Sequence, residues 1–256
     1  MPTRGQGQEG LEPAMEDFLL RVVPGIAEHW QGSTPDEIAQ IERIAGRPLP
    51  PFYRWFLSRM GQSMGPLTYP RVDFSARRVL ASYAENLVAP HPRFLFIGHD
   101  SDEMMSLHFF YDLDLPTRSD ARVMRRHARG GERHDQFETF RELLAYGALL
   151  NGRVGRMTQR CKVMLMGNQP DLFSQLDPVM EGLGFERPVP TGAFCGLYER
   201  HDVAMVCSRT PRDKPQPFMV LRLGGSDSGT LRKVLGTIAA ESSLRFEVRE
   251  WDPPIA

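Results

Sequence analysis

The stretch from Gly32 to Gly61, GSTPDEIAQIERIAGRPLPPFYRWFLSRMG, predicts two short helices joined by a proline-rich corner. Ser33 and Thr34 carry hydroxyls that cap free backbone N–H groups, and proline is favoured in the first turn of a helix. We therefore expect the first helix to begin near Pro35 and to end at Gly46. Its apolar residues recur at three- and four-residue spacing, so one face should pack against a core.

The second helix should begin at about Pro51, where prolines end the extended corner, and should end at Gly61. It presents Phe52, Trp55 and Phe56 along one side. We expect these aromatic side chains to belong to the core.

The first helix reads Thr-Pro-x-Glu-Ile-x-x-Ile-Glu, and the corner contains Leu49-Pro50. This arrangement resembles the N-terminal signature of the SUKH superfamily, and the resemblance covers about residues 15–150. Further stretches match in the family's order: Tyr53-Arg54, Phe56-Leu57, Gly61, Phe94–Gly98, His108–Asp114 and Phe137-x-x-Phe140-x-x-Leu143-Leu144.

SUKH proteins are mostly bacterial immunity proteins. The resemblance therefore implies a cytoplasmic, non-enzymatic protein that binds a cognate toxin domain, commonly a nuclease or a deaminase, and occludes its active site. The alternative function is a regulatory scaffold for protein–protein interaction. An enzyme ranks third, because no nucleophile elbow, phosphate loop or dinucleotide fingerprint follows a predicted strand.

The composition limits the kinds of partner that the chain is expected to bind. In 256 residues, 31 Lys and Arg nearly balance 32 Asp and Glu, which favours neither nucleic acid nor an anionic membrane. Cys161, Cys195 and Cys207 lie far apart, so we expect neither a disulfide framework nor a zinc site. The first residues lack the apolar core of a secretory signal, and we expect a cytoplasmic protein without a membrane partner.

The predicted fold class is α+β. A flexible N-terminus (1–14) should precede a SUKH-like domain (15–152) with N-terminal helices packed on a mostly antiparallel sheet. A smaller α+β domain of unknown role should occupy residues 156–256, and its order βαβββαβ suggests a ferredoxin-like sandwich. Predicted elements that bear on the site are a hairpin of strands 94–97 and 107–111, a strand at 122–124 and a helix at 136–150.

Five carboxylates surround this hairpin. They could form a solvated turn, an acidic face for a basic partner, or a site for a hard cation, although the spacing lacks the glycine turn and terminal glutamate of an EF-hand. We expect neither a metal nor a cofactor. The residues that the sequence suggests for partner binding are Asp100, Asp102, Glu103, Phe109, Tyr111, Asp112 and Asp114.

Large apolar residues also adjoin one another on the hairpin, as Met104-Met105 and Phe109-Phe110-Tyr111. Successive residues of a strand face opposite sides of the sheet. Either helices cover both faces, or the outward side chains form a contact surface beside the acidic loop.

Two polar segments complete the candidates. The run Arg125–His134 is either a solvated loop or a grip for phosphates, and it contains no aromatic residue to stack on a base. The segment Gly224–Gly229 is either a turn and helix cap or an anion site. The sequence leaves the oligomeric state and the identity of the toxin open.

Overall fold

Short helices fill the N-terminal part of the chain. The computed structural model describes residues 12–102, 104, 107–169, 171–209 and 218–254. Of the flexible N-terminus predicted at 1–14, residues 1–11 lie outside this part, and Pro13 already begins a helix. The first elements are α1 (Pro13–Val22), α2 (Ile26–His29), β1 (Trp30–Gln31), α3 (Pro35–Ala45), α4 (Pro51–Met60), β2 (Ser63–Met64), β3 (Val72–Asp73) and α5 (Ala76–Ala84).

The predicted corner forms as α3 and α4. Thr34 and Glu37 make a capping box: the Glu37 N–H donates to Thr34 Oγ1 at 3.2 Å, and the Thr34 N–H donates to Glu37 Oε2 at 2.8 Å. Gly46 ends α3 with a φ of 66°, a conformation that favours glycine. Both helices therefore begin and end close to the predicted residues.

The first five-stranded sheet follows these helices, in the order β3-β4-β5-β6-β7, and every pair is antiparallel. The predicted hairpin is the β4–β5 pair, with Phe96 opposite Phe110. The new elements are β4 (Phe94–Asp100), β5 (Leu107–Pro116), β6 (Ala121–His127), β7 (His134–Thr139) and α6 (Phe140–Gly152).

One predicted boundary in this region is wrong. The helix expected from Gln136 begins at Phe140, because residues up to Thr139 pair with β6 as strand β7. Thr139 then caps the helix, since its Oγ1 accepts the Glu142 N–H at 3.2 Å.

The first core is centred on Phe140, which is fully buried. Its ring lies 4.8 Å from Phe56 and 6.1 Å from Tyr111, centroid to centroid, in edge-to-face contacts. Phe52 and Trp55 are also buried, so the predicted assignment of the aromatic face of α4 to the core is confirmed. Edge-to-face pairs stabilise beyond the area that they bury.

The second sheet has the predicted order of elements, βαβββαβ. Its strands lie in the spatial order β12-β8-β11-β10-β9, and all pairs are antiparallel. This chain order has one strand more than the β-α-β-β-α-β ferredoxin-like unit. The elements are β8 (Gln159–Met166), α7 (Phe173–Gly182), β9 (Cys195–Glu199), β10 (Val203–Arg209), β11 (Phe218–Gly225), α8 (Ser228–Glu241) and β12 (Arg245–Asp252).

The two sheets meet at α6. Leu197, Ala204 and Val206 of the second sheet belong to the same buried cluster as the first core. At the edge of this contact, Glu199 accepts from Arg21 Nη1 at 2.6 Å and lies 2.7 Å from Arg153 Nε. The two predicted domains are therefore joined by a continuous apolar contact, and the independent folding of residues 156–256 stays a prediction.

Candidate functional site

The carboxylates of the predicted acidic hairpin are paired with arginines. Asp112 is fully buried and accepts from Arg93 Nε at 2.8 Å and Nη2 at 2.7 Å. Asp100 is also buried and forms an ion pair with Arg125, which arrives from β6. A buried charge needs such a partner, so these pairs stabilise the hairpin and remove its net charge.

The two outer carboxylates are paired as well. Asp102 accepts from Arg71 Nη1 at 2.8 Å, and Asp114 accepts from Arg47 Nη1 at 3.1 Å. Glu103 lies outside the described residues. The four described carboxylates thus do not form an unbalanced acidic face, and the electrostatic part of the sequence interpretation needs correction.

The aromatic residues of the hairpin are covered on both sides. Phe109 packs on Phe74 with ring centroids 5.4 Å apart, and Tyr111 donates a hydrogen bond to Asp120 at 2.7 Å. Phe109, Phe110 and Tyr111 are all buried. Of the two alternatives from the sequence, full coverage is therefore confirmed for these three residues, and Phe109 and Tyr111 are not a surface.

Met104, unlike these aromatic residues, is exposed. Its side chain is 96% exposed at the tip of the hairpin, while Met105 lies outside the described residues. The Met104 N–H donates to Asp102 Oδ1 at 3.0 Å, which ties the tip to the Asp102–Arg71 pair. An exposed thioether on a positioned turn is suited to contact an apolar pocket of a partner.

A cleft of about 600 Å³ opens beside this tip, where the end of β4, the start of β5 and the end of β6 meet. Imidazoles, carboxylates and one guanidinium share its walls with a leucine. The lining residues are Leu87, His99, Asp100, Ser101, Asp102, His108, His127, Ala128 and Arg129.

Two stacked histidines form the inner wall. The rings of His99 and His108 lie 4.9 Å apart, centroid to centroid, with an interplanar angle of 29°. Burial lowers the pKa of His108 to about 4, and burial also lowers the pKa of His99. His108 Nδ1 accepts the Asp100 N–H at 3.1 Å, which assigns the proton of the neutral ring to Nε2. At neutral pH this wall therefore offers hydrogen bonds without charge.

Sequence reasoning missed the histidine pair. His99 and His108 are nine positions apart in the sequence, and their rings come together only across a hairpin. Within the described residues, no group of three or more His, Cys, Asp or Glu side chains is arranged to hold a metal ion. The helices of the described part also include none long and apolar enough to cross a bilayer.

The two remaining polar candidates have structural partners. Arg125 and Arg126 belong to strand β6 rather than to a solvated loop, and the Arg126 guanidinium carbon lies 4.4 Å from the Phe94 ring centroid. Asp227 Oδ1 accepts the Thr230 N–H at 2.8 Å and caps α8. Gly224 and Gly225 end strand β11, so the turn is limited to Ser226 and Asp227, and the cap interpretation is confirmed because the Asp227 carboxylate occupies this helix end.

No protein-family model matches this chain, and no curated protein matches it at a significant level. The SUKH resemblance rests on the residues quoted above and stays a prediction. The hairpin tip and its cleft are thus identified as the candidate site from geometry: an exposed apolar side chain, a neutral histidine pair and a cavity at one end of a sheet.

Proposed function

We propose that this chain is a non-enzymatic binding protein that neutralises a toxin domain by occluding it. The observation that carries the proposal is Met104, which is 96% exposed beside a cleft of about 600 Å³. The SUKH-like pattern of α3 and α4 supports toxin neutralisation as the purpose of that binding. A nuclease or a deaminase is the class of toxin that the resemblance favours.

The contact would depend on shape and hydrogen bonds more than on net charge. Met104 would enter an apolar pocket of the toxin domain, and the cleft would receive a polar side chain of the toxin against His108 and Arg129. Because Asp100 and Asp112 are held by arginines, long-range attraction to a basic groove contributes less than the sequence suggested. The partner should accordingly bind with a weak dependence on salt.

The decisive experiment titrates the purified chain against a candidate toxin domain while the toxin's activity is measured. Met104→Lys should weaken binding by at least about tenfold and restore toxin activity in proportion, because a charge would enter an apolar contact. Leu20→Lys is the matched control, since Leu20 is also an exposed apolar residue but lies on α1. If the two variants bind equally well, the hairpin tip is not the contact surface.

The regulatory scaffold remains the second candidate because a further apolar surface is exposed. Phe246, Val248 and Trp251 of β12 line a groove of about 610 Å³ against α8, and Val248 is among the exposed large apolar residues. A scaffold would bind several partners in cells without toxin, whereas an immunity protein would have one tight partner. Counting partners by affinity purification separates the two functions.

A further inference from the structure

A second cavity, of about 280 Å³, lies where the two parts of the chain meet. Its floor is the face of the second sheet that α7 and α8 leave uncovered, at the start of β8. Its wall is the end of α6 together with the 3₁₀ turn Val154–Arg156. The charged residues of the floor are Arg160, Lys162, Arg222, Glu250 and Asp252.

The strand register arranges these charges in two rows. In one row, Arg160 lies opposite Asp252 and forms an ion pair with it, while Arg160 Nη1 also donates to the Gly155 carbonyl at 2.7 Å. In the other row, Lys162 has Arg222 on one side and Glu250 on the other. The charges of the first row are thus paired with each other.

The second row is not satisfied. Among the described residues, no ion pair within 4.0 Å involves Lys162, Arg222 or Glu250. Lys162 and Arg222 lie directly opposite each other on neighbouring strands and repel each other, while Glu250 lies opposite Lys162 on its other side. An anion bound between the two cations would remove their repulsion.

The 3₁₀ turn lies over the neighbouring row, at Gly224, which is opposite Arg160. A Cβ atom on Gly224 would lie 2.6 Å from the Val154 carbonyl oxygen, so a side chain at this position of β11 would push the turn off the sheet. Leu150 and Val154 then form an apolar wall beside the cations. Lys162 is half-buried beside this wall, whereas Arg222 and Glu250 are exposed, so a ligand can reach all three charges from solvent.

We propose that this cavity binds a small zwitterion whose phosphate or carboxylate lies between Lys162 and Arg222 and whose ammonium group pairs with Glu250. The volume is near the lower end of the range for ligand pockets, which fits a molecule of a few heavy atoms. The site is separate from the hairpin tip and does not depend on the toxin-binding function. It gives the C-terminal part of the chain a ligand of its own.

Calorimetry with the full chain tests this inference, with phosphoethanolamine as the zwitterion and inorganic phosphate as the anion alone. Phosphoethanolamine should bind about tenfold more tightly than phosphate, because Glu250 adds a charge-assisted hydrogen bond. Arg222→Gln should weaken both ligands by about tenfold, whereas Glu250→Gln should weaken only phosphoethanolamine. A comparison of glycine with phosphoethanolamine, both of which carry an ammonium group, then shows whether a carboxylate or a phosphate is the preferred anion.

Arg249→Gln is the matched control, since Arg249 lies on β12 outside the cavity and pairs with Glu247. It removes one positive charge and should leave both affinities unchanged. Lys162→Met provides a second variant if Arg222→Gln proves unstable in a thermal melt. Absence of binding by both probes, equal affinity of the two probes, or equal losses in Arg222→Gln and Arg249→Gln would overturn the proposal.

Discussion

Asp112 shows how single residues decide which parts of the hairpin are surface. Its carboxylate is fully buried and accepts two hydrogen bonds from Arg93. We expect Asp112→Asn to lower the free energy of unfolding by about 2 kcal/mol, because a buried charge-assisted pair is lost. Urea denaturation measures this change.

Asp114 provides the control, because it lies two residues away and its side chain is 50% exposed. Asp114→Asn should change the free energy of unfolding by less than about 0.5 kcal/mol, as is usual for exposed ion pairs. Equal losses in the two variants would contradict the distinction between a buried and a surface carboxylate.

His108 should make stability depend on pH. Its folded pKa of about 4 lies below the ordinary value of 6.5, so the unfolded state binds a proton that the folded state does not. Stability should therefore fall by about 1–3 kcal/mol as pH is lowered from 6.5 to 4, and little further below that. His99, Asp100, Arg125 and Arg78 act electrostatically on the same ring.

Asp120 acts in the opposite direction in part of this window, because burial raises its pKa to about 6 and the folded state takes up the proton first. The useful measurement is thus the difference in free energy of unfolding between the wild type and His108→Gln at each pH. The wild type should lose stability relative to the variant as pH falls from 6.5 to 4. A difference that is constant across this range would contradict the role of His108.

At this scale the sequence identifies charges but not their partners. Asp100 on β4 and Arg125 on β6 are 25 positions apart, and they meet because both strands pair with β5, which lies between them. Composition and spacing therefore suggested an acidic face where the folded chain has ion pairs. The sequence suggests the pair Met104-Met105 as one alternative for a contact surface, but only the folded chain shows that Met104 is 96% exposed at the tip of the hairpin.

Glycines inside helices provide a test at the scale of elements. A Cβ on Gly236 of α8 would meet nothing within 4 Å, whereas a Cβ on Gly147 of α6 would lie 2.2 Å from Tyr69 Oη. We expect Gly236→Ala to raise the free energy of unfolding by about 0.5–1 kcal/mol through helix propensity. Gly147→Ala should lower it by about 1–3 kcal/mol through overpacking.

Thermal and urea denaturation of the two variants check this pair of signs. If packing outweighs helix propensity at Gly147 of α6, the same Gly→Ala substitution must lower the free energy of unfolding in α6 and raise it in α8. A gain in stability from Gly147→Ala would mean that Tyr69 can move aside at little cost.

Elements with local end signals were predictable, and elements defined by tertiary pairing were not. Thr34, Gly46 and Pro51 mark the ends of α3 and α4 in the sequence itself. By contrast, no clear local signal marks α5, and the helical spacing of Phe137 and Phe140 predicts a helix where residues 136–139 form the end of β7. Strand pairing with β6 overrides that spacing, which a single sequence does not show.

At the scale of the whole molecule, the central question is whether the two sheets unfold together. Leu197 and Val206 of the second sheet pack into the first core, and Glu199 pairs with Arg21 of α1 and with Arg153 at the end of α6. Exposing this shared apolar contact would cost each part a face of its core. We therefore expect a single cooperative transition rather than the two that separate domains would give.

Tryptophan fluorescence can follow the two parts separately, because Trp55 is buried in the first core and Trp251 packs against the second. In variants that retain one of these tryptophans, the urea midpoints should coincide. Glu199→Gln should lower the free energy of unfolding by about 2 kcal/mol, because a nearly buried carboxylate loses its charge beside two arginines. Both urea midpoints should therefore fall together. Glu186→Gln, on an exposed neighbour of β9, should leave both unchanged. A shift confined to the Trp251 transition would instead establish residues 156–256 as an independent domain, and limited proteolysis near Gly152–Gly155 would then release a stable C-terminal fragment.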